Sequence, residues 1–308
     1  MRRSMSVVAL ACATWSTALA QVSTGDQWLR RPVDDQTYTG YLQLFAYDKT
    51  LPLAATVDSR DTFEGLSREH LLFQSTPGVR VTSRIYLAPG GASARAPWLI
   101  FLHGGGGDGK DVPGYALTSA FLARAGWNVL AMDLLYFGER RTDLLTSYEE
   151  QEKHARLYNS QATYLAWIAQ SVKDLGRAID YLVTERNADP ARISLVGFSR
   201  GAQVAIIGGA VEKRFRSVVV LYGGHFDFYE SGHLPAACPA NYIARISPRP
   251  LLLVNGRQDE DFVRGVSVEP LHRWARNPRE IIWLNTGHTL PPEDAMSRVM
   301  RWLAANGR

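Results

Sequence analysis

The sequence predicts an α/β fold with a mostly parallel, doubly wound sheet that an antiparallel hairpin precedes. Short runs that are nearly continuous in apolar residues recur along the last two thirds of the chain, as in strands covered on both faces. Between them lie stretches whose apolar residues are three and four positions apart, which is typical of helices packed by one side. The alternation of the two patterns favours parallel strands joined by helical crossovers.

Composition limits the class of protein. The chain has 308 residues, 46% of them hydrophobic, which is enough for one large α/β domain. Its net charge of +4 is small and no basic stretch is interleaved with aromatic residues, so we expect no nucleic-acid partner. No apolar run of membrane-spanning length follows the N-terminus, so we expect no membrane span. The sequence leaves the oligomeric state open.

The first twenty residues have the composition of a secretion signal. Arg2 and Arg3 form a basic start, an apolar stretch follows, and Ala18-Leu19-Ala20 fits the rule of small residues before a cleavage site. We therefore expect residues 1–20 to be a signal peptide that is removed after Ala20, and the mature protein to be secreted or periplasmic.

Cysteine usage predicts neither a disulfide nor a metal site. Cys12 would leave with the signal, so Cys238 would remain alone, as a packed thiol without a catalytic role. No group of cysteine and histidine residues has the spacing of metal ligands. We therefore expect no cofactor and no metal.

The strands can be placed in order along the chain. Residues 21–67 contain aromatic residues and helix-compatible pieces, and we expect them to form an arm packed on the sheet. Leu71–Phe73 and Val81–Leu87 flank Thr76-Pro77-Gly78, which predicts the antiparallel hairpin. Six later runs are predicted to be strands of the parallel part: Trp98–Leu102, Val129–Met132, Ile193–Val196, Val218–Leu221, Leu251–Val254 and Ile281–Leu284.

Helices are predicted between these strands, and two insertions interrupt the alternation. The predicted helices are Ala116–Ala125, Ser171–Glu185, Ala202–Gly208, Phe262–Arg276 and Ala295–Ala305. The insertions, at 138–170 and 224–247, are rich in aromatic residues and each follows the carboxyl end of a strand. Because parallel sheets bind ligands at that edge, we expect both insertions to form short caps over a binding site.

The segment Gly197-Phe198-Ser199-Arg200-Gly201 joins a predicted strand to a predicted helix. A strand that turns sharply into a helix exposes the central serine hydroxyl, and small flanking residues avoid clashes in that turn. The alternative is an ordinary glycine-rich turn. The strand before it and the helix after it favour Ser199 as a nucleophile.

A serine nucleophile needs an imidazole base that a carboxylate orients. His288 follows the last predicted strand and Asp259 follows the strand before it, so the chain order is serine, acid, histidine, as this strand–turn–helix motif requires. Other residues compete for these two roles. They are Glu260, Asp261 and Asp227 for the acid, and His225, His233 and His272 for the base.

Negative charge that develops on a substrate carbonyl oxygen needs preorganised N–H donors. One is expected from the backbone of Arg200, and the other from the loop His103–Gly107, with Gly105 favoured and Gly104 next. We expect His103 to support this loop. A phosphate-binding loop is excluded because no Gly-Lys-Ser/Thr follows, and Lys110 lacks that context.

These segments resemble the serine hydrolases of the α/β-hydrolase superfamily, near the bacterial esterases similar to dienelactone hydrolases and prolyl oligopeptidases. The resemblance covers about residues 68–306 and rests on His103–Gly107, Met132-Asp133, Phe137–Arg140, Gly197–Gly201, Ile246–Pro250 and Gly287-His288. It implies an α/β-hydrolase fold for a domain of residues 68–308. It also implies ester hydrolysis through an acyl-enzyme, with Ser199, Asp259 and His288 as the catalytic triad.

The chain departs from each of these relatives. Dienelactone hydrolases use a cysteine nucleophile where this chain has Ser199, and prolyl oligopeptidases carry a β-propeller that the residues before the hairpin are too few to build. The Ser-Arg pair is similar to that of glucuronoyl esterases, but the lysine that follows in those enzymes is missing here, where Gly201-Ala202-Gln203 takes its place.

The sequence thus predicts an exported serine carboxylesterase that acts on small or short-chain esters. Three alternatives remain open. They are a small serine exopeptidase or amidase, a carbohydrate esterase for acetyl or glucuronoyl esters, and a non-catalytic binding protein on the same fold.

Overall fold

The structure, a computed structural model, describes residues 26–91 and 96–307. The predicted signal peptide and its cleavage site lie outside the described residues. None of the helices in these two ranges is long and apolar enough to cross a membrane.

One nine-stranded sheet organises the described part of the chain. The strands are β1 Thr56–Phe63, β2 Leu66–Thr76, β3 Val79–Tyr86, β4 Trp98–Leu102, β5 Asn128–Met132, β6 Ile193–Phe198, β7 Val218–Leu221, β8 Leu251–Gly256 and β9 Arg279–Leu284. They lie in the order β1-β2-β3-β5-β4-β6-β7-β8-β9. Strands β4 to β9 run parallel, and β1 to β3 are antiparallel and join the parallel part where β3 pairs with β5. The predicted α/β fold and its six parallel strands are confirmed.

The antiparallel part is larger than the predicted hairpin. Strand β1, which the sequence placed in the arm, forms the edge of the sheet next to β2. Its side chains are almost all exposed or half-buried, so it lacks the apolar alternation that marks a strand with one buried face. A register shift between Val57 and Ser59 and a charged sequence are common protections of such an edge.

Helices cover both faces of the sheet. Their bounds are Gln27–Arg30, Asp35–Tyr41, Pro113–Arg124, Glu150–Lys153, Gln161–Glu185, Arg200–Val211, Glu269–Trp274 and Glu293–Asn306. Helices 161–185 and 200–211 pack in the core of one face, and helices 113–124 and 293–306 pack in that of the other. This double cover explains why β4 to β8 are buried throughout.

Two predicted helices have different bounds in the structure. The helix predicted from Ser171 begins at Gln161, because Tyr164 and Ile168 continue its buried stripe, so the first insertion is shorter than predicted. The helix predicted over Phe262–Arg276 is α-helical only in Glu269–Trp274 and follows a π-helical turn. Pro270 occupies its first turn, where proline's missing N–H costs nothing.

The N-terminal arm packs on the second insertion. The ring of Phe45 meets the ring of Tyr242 edge to face at 5.9 Å, and Tyr38 meets it at 5.7 Å. The Asn241 side chain accepts from the backbone N–H of Val33 at 3.0 Å. The arm therefore supports a segment that leads into the candidate site.

Candidate active site

Ser199 occupies a strained turn between β6 and helix 200–211. Its backbone has φ 54° and ψ −115°, a conformation that a residue with a side chain rarely adopts. A Cβ atom on Gly197 would lie 2.2 Å from the carbonyl oxygen of Gly201, and one on Gly201 would lie 2.4 Å from that of Leu102. Gly197 is therefore required by the tightness of the turn itself, and Gly201 by the close packing of the turn on β4.

The structure brings Ser199, His288 and Asp259 together. The Nε2 atom of His288 lies 2.9 Å from the Ser199 hydroxyl oxygen, and its Nδ1 atom lies 3.0 Å from Oδ2 of Asp259. With Nδ1–H donating to the carboxylate, Nε2 is free to accept the serine proton. The contacts join the ends of β6, β8 and β9.

The other candidate acids occupy different places. Asp259 is buried and accepts the backbone N–H groups of Asp261 at 3.0 Å and Phe262 at 2.8 Å, which hold its carboxylate toward His288. Glu260 accepts only the backbone N–H of His288, at 3.4 Å. Asp227 contacts Arg200 and His154 instead.

The other candidate bases also have different partners. His225 lies beside Asp26, and His233 stacks on Tyr164 at 3.9 Å between ring centroids. His272 lies on helix 269–274, and none of the three lines the cavity at Ser199.

Two carboxylates set the charge of the His288 ring. Burial disfavours the imidazolium, but the hydrogen bond and charge of Asp259 outweigh it and raise the pKa of His288 above its ordinary value. Asp261 adds to this rise, since its Oδ2 atom lies 3.6 Å from Nε2. Burial in turn raises the pKa of Asp261.

His103 fixes the loop after β4. Its Nδ1–H donates to the carbonyl oxygen of Gly104 at 2.6 Å, and its Nε2 accepts the N–H of Leu134 at 2.9 Å. Burial lowers the pKa of His103, so the ring stays neutral in this role. Because N–H and C=O point in opposite directions across a trans peptide, the N–H of Gly105 is turned away from His103. Gly105 lines the cavity in front of Ser199.

Tyr115 and Lys153 hold the same loop from the other side. Burial raises the pKa of Tyr115 to about 12, against the effect of the backbone amides of Gly106 and Gly104, which face its hydroxyl. Lys153, from the first insertion, donates to the carbonyl oxygen of Gly105 at 3.0 Å. Sequence reasoning missed Lys153, because its short helix has no apolar period that would show which side faces the site.

The Arg200 side chain is buried under the two insertions. Its guanidinium forms ion pairs with Asp227 and Glu230 and lies 3.6 Å over the ring of Tyr158. Burial alone would raise the pKa of Asp227, but Arg200 and His154 lower it below the ordinary value. Burial raises the pKa of Glu230.

In the sequence, one feature indicates the kind of partner that Arg200 has. A buried guanidinium requires carboxylates, and the two insertions supply acidic residues close to Ser199. It did not indicate which acids would be used.

Asp133 and Lys110 form a buried ion pair near the end of the loop that follows β4. The Lys110 Nζ atom lies 2.7 Å from Oδ2 of Asp133, and its backbone N–H donates to Oδ1 at 2.9 Å. Thr82 donates to the same carboxylate at 2.6 Å. Lys110 is therefore held by Asp133, and its contacts are structural.

A cavity of about 370 Å³ opens in front of Ser199. One part of its wall is apolar and aromatic, formed by Val112, Tyr115, Phe198, Phe262 and Leu290. The other part is charged, formed by Glu150, Lys153, Arg200, Asp227 and Asp261. Such a cavity can hold a small molecule with both apolar and hydrogen-bonding groups.

Within the described ranges, Asp26, His225 and Cys238 form a group whose donor atoms could hold a metal ion, all within 4.8 Å of one another. The Nε2 atom of His225 lies 3.2 Å from Oδ2 of Asp26. Cys238 is buried, which raises the pKa of its thiol well above the ordinary value and keeps it protonated. None of the three lines the cavity at Ser199.

Comparison with known proteins assigns the chain to a family. Residues 99–304 match the profile of the alpha/beta hydrolase family. Comparison with curated proteins gave no significant match.

Among solved structures, the chain is similar to an acetyl xylan esterase from a Paenibacillus species, with a TM-score of 0.70 and 17% identity over 91% of this chain and 98% of that one. It is also similar to acetyl xylan esterase 1 from a Thermoanaerobacterium species, with a TM-score of 0.69, 17% identity and the same coverage of 91% and 98%. An esterase from Pyrococcus furiosus has a TM-score of 0.59 and 18% identity over 82% of this chain and 100% of that one. At such identities the likeness shows the fold alone.

Proposed function

The chain belongs to the alpha/beta hydrolase family, and on this premise we propose that it is an exported serine carboxylesterase for small or short-chain esters. One observation carries the proposal. The Ser199 hydroxyl, the His288 imidazole and the Asp259 carboxylate are joined by contacts of 2.9 and 3.0 Å at the crest of a strained turn. The names of the similar structures, two acetyl xylan esterases and an esterase, also favour ester chemistry.

Acylation begins when Nε2 of His288 takes the proton of Ser199 and the oxygen attacks the ester carbonyl carbon. The carbonyl electron pair moves to oxygen, where the backbone N–H groups of Arg200 and Gly105 stabilise it. The orientation of the peptide between Gly104 and Gly105 supports Gly105 over Gly104 as the second donor, since the Gly104 amide faces Tyr115.

Collapse of this intermediate breaks the bond to the alcohol oxygen, which receives the proton from His288. The neutral imidazole then takes a proton from water, and the hydroxide attacks the acyl-enzyme. The acid leaves, and Ser199 recovers its proton from His288. Asp259 keeps the ring in the tautomer that both steps need.

The size of the cavity favours short acyl groups. Its volume of about 370 Å³ lies near the lower end of ligand pockets, which span roughly 300 to 1,000 Å³. A carbohydrate ester, acetyl or glucuronoyl, is the second candidate, because one part of the cavity wall is charged and can bind hydroxyl groups.

The experiment combines covalent labelling with a substrate panel. A fluorophosphonate probe should modify Ser199, and short-chain esters should be cleaved in preference to aminoacyl anilides, which an exopeptidase would favour. Ser199→Ala should lower kcat by about 10³-fold or more. Ser59→Ala, an exposed serine on the edge strand, is the matched control. Ester turnover near the normal rate in Ser199→Ala would overturn the proposal.

Export is proposed from the sequence of residues 1–20. Mass spectrometry of protein expressed in a bacterial host and recovered outside the cytoplasm should find Gln21 as the first residue. Recovery of the full-length chain in the cytoplasm would contradict it.

A further inference from the structure

Two neighbouring aromatic side chains of the second insertion are unusually exposed. Phe228 is 40% exposed and Tyr229 is 57% exposed, and their rings meet edge to face at 5.3 Å. In the part of the chain that the structure describes, they are the only large hydrophobic residues adjacent in sequence that are exposed to this degree. Tyrosine, which has an apolar ring and a polar end, is enriched at binding surfaces.

Hydrogen bonds tie the backbone of this pair to two residues of the cavity wall. The backbone N–H of Phe228 donates to the carbonyl oxygen of Asp261 at 2.7 Å, and that of Tyr229 donates to Oδ1 of Asp227 at 2.8 Å. Both aspartates line the cavity. The side chain of Asn159, from the first insertion, donates to the carbonyl oxygen of Tyr229 at 3.1 Å. The two residues therefore lie next to the cavity wall on an anchored backbone, although neither ring is itself part of the wall.

The charged part of the cavity wall does not favour an anionic ligand. Lys153 is paired with Glu150 at 2.5 Å, and Arg200 is paired with Asp227 and Glu230. The wall therefore offers donors and acceptors together, without an uncompensated positive charge. Neutral hydroxyl groups, which donate and accept, fit such a wall.

Tyr158 supplies a second indication of a polar ligand. It lines the cavity, and its buried hydroxyl has no hydrogen-bond partner among the described residues. A buried polar group without a partner costs free energy, and a ligand hydroxyl could recover part of it once the wall opens to admit one, because the Tyr158 side chain is fully buried as it stands.

We propose that Phe228 and Tyr229 form a sugar subsite, in which Tyr229 stacks on a neutral pyranose ring of the alcohol part of the ester and Phe228, whose ring is perpendicular to that of Tyr229, supports it from the side. A pyranose has apolar C–H faces, which pack on aromatic rings, and equatorial hydroxyl groups, which reach the charged wall. The inference rests on the proposed esterase function and names the kind of alcohol that the site accepts.

The experiment compares two acetate esters that differ only in the alcohol, acetylated xylotriose and ethyl acetate. Tyr229→Ala should raise KM for acetylated xylotriose by about tenfold, the loss expected for one stacking contact, and leave ethyl acetate hydrolysis unchanged. Tyr229→Phe keeps the ring and should retain the normal KM for acetylated xylotriose. Tyr229→Leu removes the ring and should raise that KM as much as Tyr229→Ala does. Leu44→Ala, a hydrophobic side chain of similar exposure on the arm, is the control and should affect neither substrate.

Three results for Tyr229→Ala would overturn the subsite. One is an unchanged KM for acetylated xylotriose, and another is an equal rise in KM for both acetate esters. The third is a rise in KM for methyl ferulate alone, which would assign the rings to an aromatic acyl group. Failure of the normal protein to cleave any ester would instead overturn the proposed function, and the subsite with it.

Discussion

The imidazole of His288 lies between two carboxylates that act on it differently. Asp259 bonds to Nδ1 and orients the ring, whereas Asp261 approaches the reactive Nε2 atom to 3.6 Å. A base must be neutral to accept the serine proton, so the rate falls at acidic pH as His288 becomes protonated. Because both carboxylates raise the pKa of His288, this acidic limb should lie above the ordinary histidine range.

Asp261→Asn should move the acidic limb of kcat/KM to lower pH. The carboxylate charge favours the protonated ring, so removing it lowers the pKa of His288 and keeps the base neutral at more acidic pH. A pH–rate profile on a short-chain ester measures the shift. Glu260→Gln is the control, since Glu260 contacts only the backbone N–H of His288. A limb that stays in place or moves to higher pH would contradict the assignment.

The sequence predicted that Ser199, Asp259 and His288 meet, because each follows a strand whose carboxyl end lies at the same edge of the sheet. It favoured Asp259 but left Glu260 and Asp261 as competitors, since neighbours in one loop differ only in where their backbone turns. In the structure the N–H groups of Asp261 and Phe262 hold the Asp259 carboxylate toward His288. The partners of Arg200 were not predictable for a related reason, because they lie on irregular insertions.

Among the elements, the turn from β6 into helix 200–211 is the most tightly constrained. The Cα atom of Gly201 lies against the end of β4, and a Cβ there would lie 2.4 Å from the carbonyl oxygen of Leu102 and 2.5 Å from that of His103. The first of these atoms ends a central strand and the second begins the loop after it, so neither can move without disturbing the loop His103–Gly107.

Gly201→Ala should therefore destabilise the protein by about 1–3 kcal/mol or more, the usual cost of overpacking a rigid core. Urea unfolding followed by fluorescence measures the change in the free energy of unfolding. Gly265→Ala is the matched control, because nothing lies within 4 Å of its Cβ position. Equal stabilities for the two variants would show that the turn tolerates a side chain.

Element bounds were less predictable than element type. Helix 161–185 was predicted ten residues too short because Tyr164 and Trp167 were assigned to a cap, although both are buried in the core. Caps and cores are both rich in aromatic residues, so composition does not tell them apart and only the packing of the side chain does. Strand β1 was not predicted as a strand, because an exposed edge strand carries no buried face and hence no apolar alternation.

For the molecule as a whole, the site depends on segments that are far apart in the chain. Residues of both insertions line the cavity at Ser199, and the N-terminal arm contacts the second insertion through Phe45 and Tyr38, which belong to the same buried cluster as the sheet. The sequence predicted a packed arm, but its contact with the second insertion depends on tertiary packing that no local pattern encodes.

Phe45→Ala should lower the free energy of unfolding by about 3–5 kcal/mol, since it removes a buried ring from the contact with Tyr242. Leu44→Ala, its exposed neighbour, should change it by no more than about 0.5 kcal/mol. Urea unfolding should be followed by tryptophan fluorescence and by ester hydrolysis together. Because the arm, the insertion and the sheet share one core, both signals should be lost in a single transition in each variant. An early fluorescence change in Phe45→Ala that leaves hydrolysis intact would mean that the arm folds apart from the site it supports.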